Sequence, residues 1–163
     1  MSKKINDLDE KYKQAFVYAE VGQNEKAAKE FKKLAEKGHF GAQMTLGHAY
    51  SSGVKPFKKN YSKAFYWHKK ALAGKEPENY YLLAMLYDPV LYDPNVDDEE
   101  ILLYKNQKLS ELYYKKAIEA FENKAKSGDR EAMYRLAEIC SAGSTYMLGM
   151  SRYWIGKWKN TKE

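Results

Sequence analysis

The stretch AQMTLGHAYSSG, residues 42–53, contains the pattern that decides the fold, because that pattern returns twice along the chain. Leu46-Gly47-x-x-Tyr50 is followed 37 residues later by Leu83-Ala84-x-x-Tyr87, and 53 residues after that by Leu136-Ala137-x-x-Cys140. A Lys-Ala pair repeats with the same two spacings, at residues 26–27, 63–64 and 116–117. Repeats of this length with helical periodicity are typical of stacked helix pairs, since one pair cannot bury its apolar face alone.

The repeat predicts an all-α fold: an α/α solenoid of about four helix pairs with a C-terminal capping helix. The four units form a single domain and span about residues 9–38, 42–74, 77–128 and 129–159. The third unit contains an insertion at residues 88–109, because its spacing exceeds the previous one by 16 residues. Gly38, Gly74 and Gly128 stand where a helix ends in the left-handed conformation that favours glycine.

Three of the four repeats hold a small residue at one shared position, namely Gly47, Ala84 and Ala137. Helices whose axes approach within about 8–10 Å need a small side chain at the point of closest contact. The leucine just before each of these positions is expected to fill the neighbouring space. We therefore assign both sets of residues to the core and not to a site.

Composition and charge favour a cytoplasmic globular protein. The chain is 44% hydrophobic, has one cysteine and so no internal disulfide, and begins without the apolar segment of a signal peptide. No apolar run reaches the roughly 20 residues that span a bilayer. The net charge of +6 allows an anionic partner. Its lysines, however, are spread along polar helix faces, a distribution that favours solubility over a phosphate track.

Two segments of the second unit carry a family resemblance: Ala42-x-x-x-Leu46-Gly47-x-x-Tyr50-x-x-Gly53 and Lys63-Ala64-x-Tyr66-Trp67-x-Lys69-Lys70-Ala71-x-x-Gly74. They resemble the Sel1-like repeat, which is related to the tetratricopeptide repeat. The third and fourth units match in their first helices and at Gly128-Asp129-x-x-Ala132. The resemblance implies a binding scaffold without catalysis, used as an adaptor or, in bacteria, as an immunity protein that neutralises a toxin.

No arrangement of residues predicts catalysis, a metal site or a cofactor. The three histidines fall on different elements and lack the spacing of a helical metal pair. Residues 93–98 begin like a calcium loop, but Asp98 stands where glycine is required and Tyr104 where the bidentate glutamate should be. We therefore predict that the protein is not an enzyme and binds no metal or cofactor.

The predicted binding surface combines the outward positions of the first helix of each pair, along the concave side of the solenoid, with the insertion. Tyr, Met and Arg are enriched among residues that dominate interface energies. On the helices the predicted partner-binding residues are Met44, Thr45, His48, Tyr81, Leu82, Met85, Tyr134, Arg135 and Glu138, and in the insertion they are Tyr92, Asp97 and Asp98. For Tyr81 and Tyr134, packing between neighbouring helices is the alternative interpretation.

The insertion and the C-terminus each allow two interpretations. Residues 88–100 carry six acidic residues, which suits either a solvated loop or a specificity element for a basic partner. The aromatic stretch 146–159 is predicted to cap the core, with a membrane-interface helix or a partner-docking surface as the alternative. Together these features predict a protein–protein interaction module with one dedicated protein partner, and the alternative is a nucleic-acid or anionic-surface binding protein.

Overall fold

The computed structural model describes residues 2–89 and 103–142, and within these ranges every regular element is helical. The helices are α1 Ser2–Glu20, α2 Asn24–Glu36, α3 Phe40–Ser52, α4 Tyr61–Ala71, α5 Pro77–Tyr87, α6 Gln107–Lys126 and α7 Arg130–Ala142. Each helix packs against the next, so α1/α2, α3/α4 and α5/α6 form pairs and α7 follows them. The all-α helix-pair solenoid is therefore confirmed for these residues. The predicted capping helix, residues 146–159, lies outside them.

Helix starts and ends follow short-range signals in the sequence. Asn60, Asn106 and Asp129 each accept a hydrogen bond from the backbone N–H three residues further on, at 2.8–3.0 Å, and so begin α4, α6 and α7. Gly38 and Gly128 follow α2 and α6 with φ angles of 89° and 92°. These two glycines are left-handed caps, as predicted.

Gly74 has a different role from the predicted one. The left-handed residue after the 3₁₀ turn Leu72–Gly74 is Lys75, with a φ angle of 55°. A Cβ atom on Gly74 would lie 2.8 Å from Cβ and Cγ of Phe40, the first residue of α3. The prediction of a left-handed cap at Gly74 is therefore wrong, and the glycine is required because Phe40 packs directly against it.

The repeated leucines form the centre of the core. Leu46, Leu83 and Leu136 are all 0% exposed, and Ala84 beside them is also fully buried. Full burial of a leucine stabilises the fold by about 1.5–3 kcal/mol relative to an exposed side chain. The sequence repeat is thus a packing repeat, as predicted.

The described end of the insertion is attached to the second helix pair. The Tyr104 ring stacks on Phe65 with ring centroids 4.4 Å apart, and its hydroxyl lies 2.6 Å from Oγ of Ser62. The backbone N–H of Asn106 donates to the carbonyl of Tyr87 at the end of α5, at 2.8 Å. Both contacts hold the start of α6 against helices α4 and α5.

A buried polar pair joins α4 to α5 beneath Gly47 of α3. His68 is 0% exposed and Asn79 is 1% exposed. The Asn79 amide donates to the His68 carbonyl at 2.8 Å, so its oxygen faces Nδ1 of His68 at 2.7 Å and Nδ1 must carry the proton. Nε2 of His68 makes no hydrogen bond to the residues that the structure describes. Burial lowers the pKa of His68 to about 4.

We expect Gly47→Ala to destabilise the fold by about 1–3 kcal/mol, because the added Cβ would lie 2.6 Å from Cδ2 and Nε2 of the confined His68 ring. Urea denaturation measures the change in the free energy of unfolding. A double-mutant cycle with His68→Ala provides the control, since a shortened residue 68 makes room for the new methyl group. Strictly additive effects of the two substitutions would contradict the proposed contact.

The stability of the protein should fall on acidification because of His68. Its pKa is lowered in the folded state, so below about pH 6.5 the unfolded chain binds the proton first. The free energy of unfolding should decrease between about pH 6.5 and 4, by up to about 3 kcal/mol from this residue. NMR titration measures the pKa of the imidazole, and the His68→Leu variant assigns its signal. The same variant should remove this part of the pH dependence of the free energy of unfolding. A His68 ring that titrates near pH 6.5 would contradict it.

Candidate protein-binding surface

The first part of the predicted surface lies on α3, and one of its residues is engaged within the fold. Thr45 donates to the carbonyl of Gly41 at 2.9 Å, and its hydroxyl lies 3.0 Å from the hydroxyl of Tyr12 on α1. Met44 is half-buried and His48 is exposed. Thr45 therefore joins α3 to α1, whereas His48 presents its ring to solvent.

On α5, the three predicted residues differ in how much they contribute to the core. Tyr81 and Leu82 are half-buried, and the Tyr81 ring packs 6.1 Å from the Tyr114 ring of α6. Burial raises the pKa of the Tyr81 hydroxyl, so this group stays protonated and remains a hydrogen-bond donor. Met85 is 37% exposed. For Tyr81 the structure thus shows the packing contact that the alternative interpretation described.

On α7, Arg135 is the centre of an ionic network. Its guanidinium lies 2.8 Å from the Glu138 carboxylate, 3.4 Å from that of Glu131 and 3.6 Å from that of Glu78 on α5. Arg135 and Glu138, both predicted as partner-binding residues, are therefore paired with each other. Tyr134, next to Arg135 in the chain, keeps 44% of its surface exposed.

Glu78 is a residue of this surface that was not predicted from the sequence. Burial raises the pKa of its carboxyl, and the guanidinium of Arg135 acts in the opposite direction. Glu78 precedes Leu82 by four positions and so lies on the same side of α5. That helical spacing was the available signal, but its ionic partner lies on another repeat.

The insertion residues Tyr92, Asp97 and Asp98 lie outside the residues that the structure describes. At the start of the insertion, Asp88 accepts a hydrogen bond from the Tyr114 hydroxyl of α6 at 3.2 Å. Burial and the nearby Asp88 carboxylate raise the pKa of Tyr114, which keeps the hydroxyl protonated. The first residue of the insertion thus contacts Tyr114 of α6, the same residue whose ring packs against Tyr81.

The three histidines have different structural roles. His39 begins α3: its Nδ1 accepts from the backbone N–H of Ala42 at 3.0 Å, and its Nε2 lies 2.9 Å from Asp9. His68 is buried, and His48 is exposed on the candidate surface. In residues 2–89 and 103–142, no group of three metal-ligating side chains is arranged to hold a metal ion.

None of the helices described for this chain is long and apolar enough to cross a membrane.

Comparison with solved structures supports this architecture. No family model matches the chain, and no curated protein matches it. Among solved structures, the chain is similar to a Sel1 repeat protein from Oxalobacter formigenes, with a TM-score of 0.55 and 22% sequence identity. The similarity covers 79% of this chain and 86% of that one. The chain therefore has a Sel1-like repeat fold, as its repeats indicated.

The ionic network should contribute pH-dependent stability. Arg135→Met keeps an apolar stem but leaves the Glu78 carboxylate without its cation, and we expect a loss of about 1 kcal/mol at pH 7. Removal of the cation raises the pKa of folded Glu78, so the folded state takes up a proton more readily and the loss should shrink as the pH falls. Denaturation of both proteins at neutral and acidic pH measures this difference. Glu131→Gln, at a more exposed carboxylate, is the matched control and should change little.

Proposed function

We propose that this chain is a non-catalytic protein–protein interaction module that binds one dedicated protein partner. The partner would contact the outward side of α3, α5 and α7, which we call the A-helix face, defined by Met44, Thr45, His48, Tyr81, Leu82, Met85, Tyr134, Arg135 and Glu138. The observation that carries the proposal is the exposure of Met85 and Tyr134, at 37% and 44%. The fold supports it, because Sel1-like repeats serve as binding scaffolds.

The exposed residues stand on a rigid frame. Leu83 and Leu136, two residues away from Met85 and Tyr134 respectively, are 0% exposed, which fixes the two helices that present them. A side chain held on a packed helix loses little freedom on binding, so less of the interaction energy is offset by ordering. Met and Tyr adapt well to apolar pockets in a partner.

Electrostatics give the A-helix face its specificity. Arg135 is held between Glu78, Glu131 and Glu138, so its position is fixed before a partner arrives. Three carboxylates around one guanidinium leave this area with an excess of negative charge. The six acidic residues of the insertion, including Asp97 and Asp98, add to it. A partner with a basic surface would therefore be selected over an acidic one.

Neutralisation of a toxin is the specific form of this function that we propose. An immunity protein needs one tight partner and no chemistry, which suits two exposed side chains, Met85 and Tyr134, on helices that also carry a fixed ionic network. Tyr92, Asp97 and Asp98 would then act as a specificity element, because a loop carried by a rigid solenoid can change without altering the core.

The test begins with affinity capture of the tagged chain from the cells that make it, with a high-salt wash, followed by binding measurements with the captured protein. Met85→Ala combined with Tyr134→Ala should weaken binding by about tenfold or more, as expected for exposed anchor residues. Leu112→Ala, which truncates a 45% exposed side chain on α6, is the matched control and should have little effect.

Charge reversal in the insertion extends the same experiment. Asp97→Lys with Asp98→Lys should weaken partner binding while the melting temperature stays nearly unchanged.

Equal losses of partner affinity for the Met85→Ala/Tyr134→Ala variant and for the Leu112→Ala control would exclude the A-helix face. Capture of nucleic acid alone, released by salt, would favour the alternative of a nucleic-acid or anionic-surface binding protein, because counterion release makes such binding steeply salt-dependent.

A further inference from the structure

Positive charge is concentrated between the end of α2 and the start of α5, and none of the lysines there lies on α3, the helix of the second pair that belongs to the A-helix face. Between Glu36 and Glu76 the chain has eight lysines and no acidic residue. On α1, by contrast, Lys11 and Lys13 form ion pairs with Asp7 and Glu10 of the same helix. Residues 37–75 therefore contain no acidic residue that could pair with these lysines within the segment itself.

Several lysine ammonium groups in this region and on the neighbouring helices lie over aromatic rings. Tyr50 and Phe57 pack edge to face, with ring centroids 5.0 Å apart. Lys63 on α4 lies 5.3 Å from the Tyr50 ring centroid, and Lys32 on α2 lies 5.3 Å from that of Phe57. Two cations from different helices thus rest on one aromatic pair.

The same arrangement continues along α4 and onto α6. Lys70 lies 4.9 Å from the Tyr66 centroid and 5.7 Å from that of Trp67. Lys116 of α6 lies 5.9 Å from the ring centroids of Tyr80 and Tyr113. We call the exposed residues Lys32, Lys63, Lys70 and Lys116 the lysine surface. They come from α2, α4 and α6, the second helices of three successive pairs.

None of these four ammonium groups forms an ion pair with a carboxylate in the part of the chain that the structure describes. Lys124, by contrast, pairs with Glu76 at 3.2 Å. An aromatic face attracts an ammonium group and limits where it can move, but it leaves the positive charge in place. The lysine surface is therefore an ordered set of cations without a described counter-charge.

We propose that the lysine surface binds an acidic polypeptide segment. The charges require an anionic partner. Proteins that bind single-stranded nucleic acid offer bare aromatic faces for base stacking, whereas here lysines lie over the rings, and Tyr50 is itself only 9% exposed. The chain also has no arginine before Arg130, so no planar guanidinium is available here for bidentate phosphate binding. Carboxylates along a flexible polypeptide match separate lysine ammonium groups better than a nucleic acid does.

The proposal is tested with a fluorescent polyglutamate peptide, titrated by anisotropy at low salt and at about 0.15 M salt. Lys63→Gln with Lys70→Gln should weaken binding by about tenfold, since two charges of the surface are lost. Lys11→Gln with Lys13→Gln removes the same net charge from α1 and should weaken binding by less than about twofold. Melting curves of both variants confirm that the fold is retained.

Four outcomes would overturn the proposal. Equal losses for the two variants would mean that net charge alone attracts the peptide. Tighter binding of oligothymidine or of duplex DNA, with the same dependence on Lys63 and Lys70, would identify nucleic acid as the partner. Peptide binding that appears only after Asp97→Asn with Asp98→Asn would make the acidic segment of this chain the occupant. Absence of polyglutamate binding even at low salt would show that the surface does not bind acidic polypeptides.

Discussion

The close contact between Gly47 and His68 sets how the second and third helix pairs meet. Because residue 47 has no side chain, the imidazole can lie directly against α3, fully buried. Two hydrogen bonds, one between the ring and the Asn79 oxygen and one from the Asn79 amide to the His68 backbone carbonyl, then hold α4 against α5. Apolar contacts are non-directional, so they permit small rotations of one helix about another. A buried, paired histidine and asparagine permit far fewer, because each misalignment leaves a buried polar group unsatisfied.

The helices and the core could be predicted from the sequence because both follow from local spacing. Leu46, Leu83 and Leu136 recur at the same place in each repeat, and all three are fully buried. The His68–Asn79 pair could not be predicted in this way, since its two members occur once and belong to different repeats. Gly74 shows a related limit: a sequence gives a reason to expect glycine at a helix end, but only the structure shows Phe40 packed against it.

The candidate surface was predictable in its register but not in its contacts. Of the positions on α5 and α7 that helical spacing predicted to face outward, Met85 and Tyr134 are exposed, whereas Leu82 and Arg135 are half-buried. Contacts between helices from different repeats left no trace in the spacing. The hydrogen bond between Tyr12 on α1 and Thr45, and the ion pair between Glu78 on α5 and Arg135, join residues too far apart in sequence for a local pattern to predict.

The attachment of Tyr104 and Asn106 to α4 and α5 holds the two ends of the insertion close together. The backbone hydrogen bond from Asn106 to Tyr87 joins the two ends of the segment between them, whatever sequence that segment has. The entropic cost of a longer closed segment grows only slowly with its length. A foreign peptide placed between Asp88 and Tyr104 would thus be displayed from a fixed base without altering the helix register. The solenoid offers a natural grafting position for loop libraries.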